Sequence, residues 1–218
     1  MEKKQLIDMS SWSRQSHFAF FSQFSDPYFG IDANVDVTPA RQYCQDNQLS
    51  FFLLVHFAST KVVNSLAPFR YRIENEQVAE YEQVHTTTVL MRENQSFMYA
   101  FMPYTTSFSQ FCETAAAQQE IANNSTDIGL NEQTGLANTI HYSMIPWINF
   151  TGLKHARNYP VTHSNPQISF GKATDNGQGR LLMPVSVSAH HGLMDGYHVG
   201  QYLAAFEEAL ANPQILIE

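Results

Sequence analysis

The residues best suited to chemistry lie in SVSAHHGLMDGYHVGQYLAAF, residues 186–206, where two adjacent histidines, His190 and His191, precede Asp195 and His198. Imidazole has an ordinary pKa near ~6.5, so it takes a proton at neutral pH without being permanently charged, the property of a general base. In a strand, neighbouring side chains point to opposite faces, so only one of His190 and His191 can enter a given pocket. Asp195 stands immediately before an amphipathic run, where a carboxylate accepts backbone N–H bonds and complements a helix dipole. The segment alone leaves three readings open: a satisfied structural histidine, a zinc ligand set, or a base. Alternate-face geometry, and the lack of an HExxH or cysteine pattern, count against zinc. A base that serves acyl transfer also needs a donor for the oxyanion of the tetrahedral intermediate. Ser143, a polar residue in the apolar HYSMIPWINF, is either that donor or a satisfied core hydroxyl.

The elements that must position these groups follow from periodicity. Val185, Val187 and Ala189 alternate with Ser186 and Ser188 as in a strand ending near Gly192. A helix over about 196–211 follows, with Val199, Tyr202, Leu203, Phe206 and Leu210 at helical spacing. NVDVT (34–38) alternates like a strand, and Thr38-Pro39 reads as a helix start with a capping hydroxyl. Residues 50–67 are apolar on most faces, which predicts a buried helix stopped before Pro68. From Phe69, aromatic and β-branched runs read as successive strands. Residues 107–124 read as a helix capped by Ser107, and QISFGKATDNGQGRLLMPVSVSAHH as two strands about a Gly/Asn/Asp turn. A mixed β-sheet covered by helices, of α/β (α+β sandwich) class, is the expected architecture, with residues 1–218 as one domain.

Composition narrows the partners. Charged residues make up 15% of the 218, below the usual ~25%, and the net charge is −8 without a Lys/Arg run. A phosphate backbone or an anionic membrane surface would be repelled, so no nucleic acid and no membrane partner is expected. The N-terminus lacks the apolar stretch of a secretory signal, no run approaches the ~20 apolar residues of a bilayer span, and Cys44 and Cys112 have no metal spacing. A cytoplasmic protein is expected.

With these residues in view, HHGLMDGYHVG resembles the HHxxxDG signature shared by chloramphenicol acetyltransferases, the acyltransferase cores of 2-oxo acid dehydrogenase complexes, plant BAHD acyltransferases and peptide-synthetase condensation domains. SWSRQSHFAFFSQF near the N-terminus, YSMIPWINF in the middle and the chain length select the trimeric chloramphenicol acetyltransferases, and the resemblance covers essentially the whole chain. It implies a CoA-dependent acyltransferase-like fold and catalysis by His191 as general base, with acetyl-CoA as co-substrate and no metal. Ser143 then matches the oxyanion donor, Asp195 the buried aspartate and Arg14 its partner, the pair expected as a bidentate contact that locks the turn after His191 and the imidazole tautomer. Trp147 and Lys172 match coenzyme contacts.

For the acceptor, the resemblance implies a concave, largely apolar pocket. Phe20, Phe21, Phe97, Leu130 and Leu153 keep that character, and Thr88 and Ser169 supply hydroxyls. Ser25 and His155 stand where well-known members carry leucine, and Pro27 where some carry cysteine. The resemblance also implies a homotrimer with sites between subunits. The expected function is transfer of acetyl to the 3-hydroxyl of chloramphenicol, conferring resistance. The alternatives are an acetyltransferase for another hydroxylated small molecule and a non-catalytic drug-binding protein.

Overall fold

The computed structural model describes residues 3–217. In chain order the elements are β1 (Lys4–Leu6), α1 (Gln15–Phe21), β2 (Tyr28–Asp36), α2 (Thr38–Asp46), α3 (Phe51–Ser65), α4 (Ala67–Arg70), β3 (Tyr71–Glu74), β4 (Gln77–Tyr81), β5 (His85–Met91) and β6 (Phe97–Met102). They continue with α5 (Phe108–Asn124), β7 (Thr139–Met144), β8 (Gln167–Phe170), β9 (Thr174–Asp175), β10 (Leu181–His190), α6 (Gly196–Ala211) and α7 (Pro213–Ile217). A large sheet runs β2-β10-β8-β7-β5-β6, with β9 paired to β10, and a small sheet runs β1-β4-β3. The large sheet is mixed: β7 is parallel to both β5 and β8, while β10 is antiparallel to β2 and β8.

Alternation decides which face is buried. Ile140 and Tyr142 of β7, Ile168 and Phe170 of β8, and Val185, Val187 and Ala189 of β10 meet Leu54, Phe57 and Ala58 of α3 and Val199, Tyr202 and Phe206 of α6 in one continuous core. Each such fully buried large side chain contributes about 1.5–3 kcal/mol. Ser59 of α3 is the polar exception on this face. Its hydroxyl meets the Tyr142 hydroxyl at 2.9 Å and the Tyr202 hydroxyl at 2.7 Å, tying α3, β7 and α6 together without an unsatisfied buried group. The other face is polar: Thr87, His141, Gln167 and Ser188 form one row across β5, β7, β8 and β10, and Ser143, Ser169 and Ser186 form the next. Residues 145–166, without helix or strand, pass over that face. There His155 Nε2 lies 3.1 Å from Ser169 Oγ, and Arg157 donates to Gln167 and Ser188.

The expected mixed sheet with helices is what the chain forms, and α5 carries its Ser107 cap, which accepts from the Gln110 N–H at 3.3 Å. Three local expectations are corrected. Thr38 does not cap α2: its hydroxyl donates to Asp36 Oδ1 at 2.6 Å, because Asp36 offers an acceptor two residues away, and it accepts from the Leu181 N–H. The strand region begins at Tyr71 rather than Phe69, because Pro68 sits in the first turn of the short α4, where its missing N–H costs nothing. The two strands expected about the Gly/Asn/Asp turn are three, the short β9 pairing with the start of β10 across that turn, where Gly177 and Gly179 take the left-handed region at φ +78° and +79°. No helix among the described residues is long and apolar enough to cross a membrane.

Candidate active site

The His191 half of the candidate site forms where β10 stops. The His191 N–H donates to the Pro27 carbonyl at 2.8 Å, and the N–H groups of Leu193 and Met194 fold back onto the His190 carbonyl. Gly192 is required by close approach: a Cβ there would lie 3.0 Å from the His190 ring and 3.3 Å from Phe18 Cα. Its N–H donates to His190 Nδ1 at 3.1 Å, so that nitrogen must be unprotonated. Burial, with the charges of His163 and His191, pushes the His190 pKa down to about 4, which keeps the ring neutral. His190 is thus committed to holding the turn.

His191 is presented differently. Its ring stacks on Phe21 at 4.0 Å with 6° between planes and leans on Phe29 at 4.6 Å. Its Nδ1 is buried without a hydrogen-bond partner, which leaves Nε2 as the nitrogen able to meet a ligand. Arg14, at the start of α1, reaches the same turn. Nη1 donates to Asp195 Oδ2 at 2.5 Å and Nη2 to the His191 carbonyl at 2.9 Å.

The expected bidentate clamp on the carboxylate is therefore replaced by a bridge. Arg14 holds the His191 backbone with one arm and the Asp195 cap of α6 with the other, and makes no hydrogen bond to the imidazole. Asp195 accepts from the Tyr197 N–H at 3.0 Å and faces His198 Nδ1 at 2.9 Å, in a capping box that starts α6. Burial alone would raise its pKa, but the Arg14 hydrogen bond, the His198 and Arg14 charges and the Tyr197 N–H outweigh it and hold the carboxyl at about 2. Among the described residues, no three His, Cys, Asp or Glu side chains form a group that could hold a metal.

Ser143 lies elsewhere. It borders a cavity of about 120 Å³ on the polar face, whose wall includes Thr87, Tyr99, His141, His155 and Gln167. Burial, with the charges of His163, Arg72 and His155, lowers the His141 pKa to about 4. Burial and the Arg157 charge also lower that of His155.

The sheet register gives the separation of the two halves. Ser143 pairs with Ser169, and Ser169 with Ser186, so His191 lies five residues farther along β10 and two strands across. At ~3.3 Å per residue and ~4.8 Å per strand, that is roughly 19 Å. The faces differ too, since His191 packs beside Phe29 near α1 while Ser143 faces away from the helices. One chain does not bring His191 and Ser143 together.

Comparison with known proteins bears on what such a divided arrangement serves. A family model described as chloramphenicol acetyltransferase matches residues 3–207. The chain belongs to the chloramphenicol acetyltransferase family. A chloramphenicol acetyltransferase of Clostridium perfringens is 27% identical over 213 residues, covering 96% of each chain. Chloramphenicol acetyltransferase 3 of Escherichia coli is 25% identical over 211 residues, covering 96% of this chain and 97% of its own. A solved chloramphenicol acetyltransferase superposes with a TM-score of 0.87 at 28% identity, over 95% of this chain and all of the other. The dihydrolipoamide acetyltransferase of Azotobacter vinelandii shares the fold at a TM-score of 0.71 and 16% identity, covering 93% of this chain and 88% of the other.

Within this family member, the remaining candidate residues divide between the two halves. Phe21 and Pro27 belong to the base's half, Pro27 through its carbonyl; Phe20 lies exposed on α1 and Ser25 exposed just beyond it. His155 and Ser169 belong to the Ser143 half. Phe97 and Leu130 are exposed, and Leu153 is half-buried in the 145–166 segment. Trp147 and Lys172, both exposed, are brought near each other by the Lys172 N–H to Ile148 carbonyl bond and by Asn149 donating to the Lys172 carbonyl. Thr88 is a correction: it pairs in register with Tyr142 and is buried toward α3, so the hydroxyl that reaches the cavity is that of Thr87. The sequence reading also missed His141, Gln167 and Arg157. His141 was detectable, because it stands two residues before Ser143 in a strand and so shares its face.

Proposed function

We propose that the chain moves acetyl from acetyl-CoA to the 3-hydroxyl of chloramphenicol in a homotrimer, each site combining His191 of one subunit with Ser143 of the next. His191 Nε2 takes the hydroxyl proton as the oxygen attacks the thioester carbonyl. The tetrahedral oxyanion accepts a hydrogen bond from the Ser143 hydroxyl, and its collapse breaks the C–S bond. The proton then passes from His191 to the CoA thiolate, so that the ester and free CoA leave and no acetyl-enzyme forms. Arg14 and Asp195 position the base, while Trp147 and Lys172 contact the coenzyme. Esterifying the drug confers resistance, and the reaction belongs in the cytoplasm, where acetyl-CoA is made.

The carrying observation is the ~19 Å register separation of His191 and Ser143 within one chain. Exposed apolar side chains support an assembly as well: Phe20 and Phe24 lie beside the base, and Trp147 and Ile148 just beyond Ser143 on β7. The test is complementation. His191→Ala and Ser143→Ala chains, each inactive alone in chloramphenicol-dependent release of CoA thiol, are refolded together at equal amounts. Random assembly gives about a quarter of the interfaces both wild-type groups, so about a quarter of wild-type activity returns. A mixture as inactive as its components, although trimeric, overturns the shared site.

A further inference from the structure

The cavity beside Ser143 is not the apolar hollow expected of an acceptor pocket, and one of its polar walls has an orientation fixed from behind. Arg157 Nη2 donates to Gln167 Oε1 at 3.0 Å. A guanidinium has no lone pair to offer, so the amide oxygen must face Arg157 and the amide NH₂ must point away from it. Arg157 is itself immobilised. Nη2 also donates to Ser188 Oγ at 2.6 Å, the guanidinium lies over the Tyr28 ring at 4.2 Å, and Asp26 Oδ1 stands 3.9 Å from Nη1.

The Arg157 side chain is only 6% exposed, and its buried Nε has no partner. Placing a cation so deep, with its carboxylate so distant, is costly, and packing alone would favour an aliphatic side chain. The arrangement instead yields a rigid donor: among the described residues no acceptor meets Gln167 Nε2. In the sheet Gln167 pairs with His141, while Ser143 pairs with Ser169 two residues on, so the amide belongs one row, about 7 Å, from the Ser143 row. His141 and His155, neutral at pH 7, leave the wall polar but uncharged.

Resting on the function proposed above, we infer that Gln167, held by Arg157, is a specificity-determining donor for a neutral amide carbonyl or second hydroxyl on the acceptor, favouring polar alcohols over apolar ones.

The test compares chloramphenicol with 3-phenylpropan-1-ol, which keeps an arylpropyl chain and primary hydroxyl but lacks the amide, the second hydroxyl and the nitro group. In Gln167→Glu the side chain keeps its size and its bond to Arg157 but donates nothing at neutral pH. The ratio of kcat/KM for chloramphenicol to that for the apolar alcohol should fall about 10- to 100-fold, with the KM for acetyl-CoA unchanged. Gln167→Leu should shift the ratio in the same direction, and Arg157→Met, which frees the amide, should do so by less. Equal losses for both acceptors, leaving the ratio within about threefold of wild type, would mean a purely structural role and overturn the inference. Wild-type protein that does not acetylate chloramphenicol would refute the proposed function before any variant is made, and this inference with it.

Discussion

Asp195→Asn isolates what the Arg14 bridge does for the base. The amide can still accept from the Tyr197 N–H through its oxygen, so α6 keeps its cap. Its NH₂ then faces Arg14 Nη1, donor against donor, and the guanidinium loses the carboxylate that anchors it. The other arm of Arg14 holds the His191 carbonyl, so the base's turn is released from the side opposite its Pro27 bond.

Two magnitudes follow. A carboxyl held at about 2 against an ordinary 3.8 corresponds to about 2 kcal/mol, which partial exposure of Asp195 reduces to about 1–2 kcal/mol of stability at pH 7. A displacement of the imidazole by ~1 Å costs about 10² in rate. Thiol-release kinetics should therefore show kcat down about 100-fold, with both KM values within about threefold. Because the wild-type carboxylate contributes its stability above pH ~4 and loses it as pH falls toward 2, urea midpoints of wild type and variant should converge in acid. A well-folded, trimeric variant with wild-type kcat would refute the bridge as the device that places His191.

Ser143→Ala should lower kcat by about 10²–10³ while leaving the binding of chloramphenicol nearly unchanged, measured by equilibrium titration; an equal loss in affinity would make Ser143 a substrate contact instead. His190→Asn keeps an acceptor near the Gly192 N–H and removes a titrating ring. Wild-type His190 binds its proton far less readily when folded, about 4 against an ordinary 6.5, so its contribution is full above pH 6.5 and is lost as pH falls toward 4. Between pH 7 and 4.5 the wild type should lose about 2–3 kcal/mol more stability than the variant, read from urea unfolding; parallel losses would assign the acid sensitivity to other groups.

Much of this arrangement was legible in the sequence because periodicity and local chemistry agreed. Val185, Val187 and Ala189 announced both the strand and its buried face, and Asp195 before an amphipathic run announced the start of α6. What escaped was information carried across strands. Thr86, Thr87 and Thr88 are alike in sequence, and only their pairing with Ile140, His141 and Tyr142 decides that Thr87 alone faces the cavity. Arg157 and Gln167 lie ten residues apart, on an irregular segment and on a strand, and nothing local couples them. Likewise α1 carries no strong period or cap of its own: its first-turn neighbour Arg14 is fixed by residues near 190, far along the chain.

The two halves of the site depend on different parts of the fold, and this separates the kinds of damage a substitution can do. The base is fixed by β2, α1 and the start of α6, through Pro27, Phe21, Phe29 and the Arg14 bridge. The Ser143 cavity is fixed by β7, β8 and the segment over them, through His155, Gln167 and Arg157. Within a chain the two are joined by the β8–β10 ladder and by Arg157, which bonds Ser188 of β10 and lies over Tyr28 of β2, and behind the sheet by the buried hydroxyls of Ser59, Tyr142 and Tyr202. In the proposed trimer each chain gives its base to one site and its Ser143 to another, so loosening that junction affects two sites at once. In the proposed site, substitutions on the His191 side should change proton transfer and therefore kcat, whereas those around Gln167 should change which acceptor is chosen.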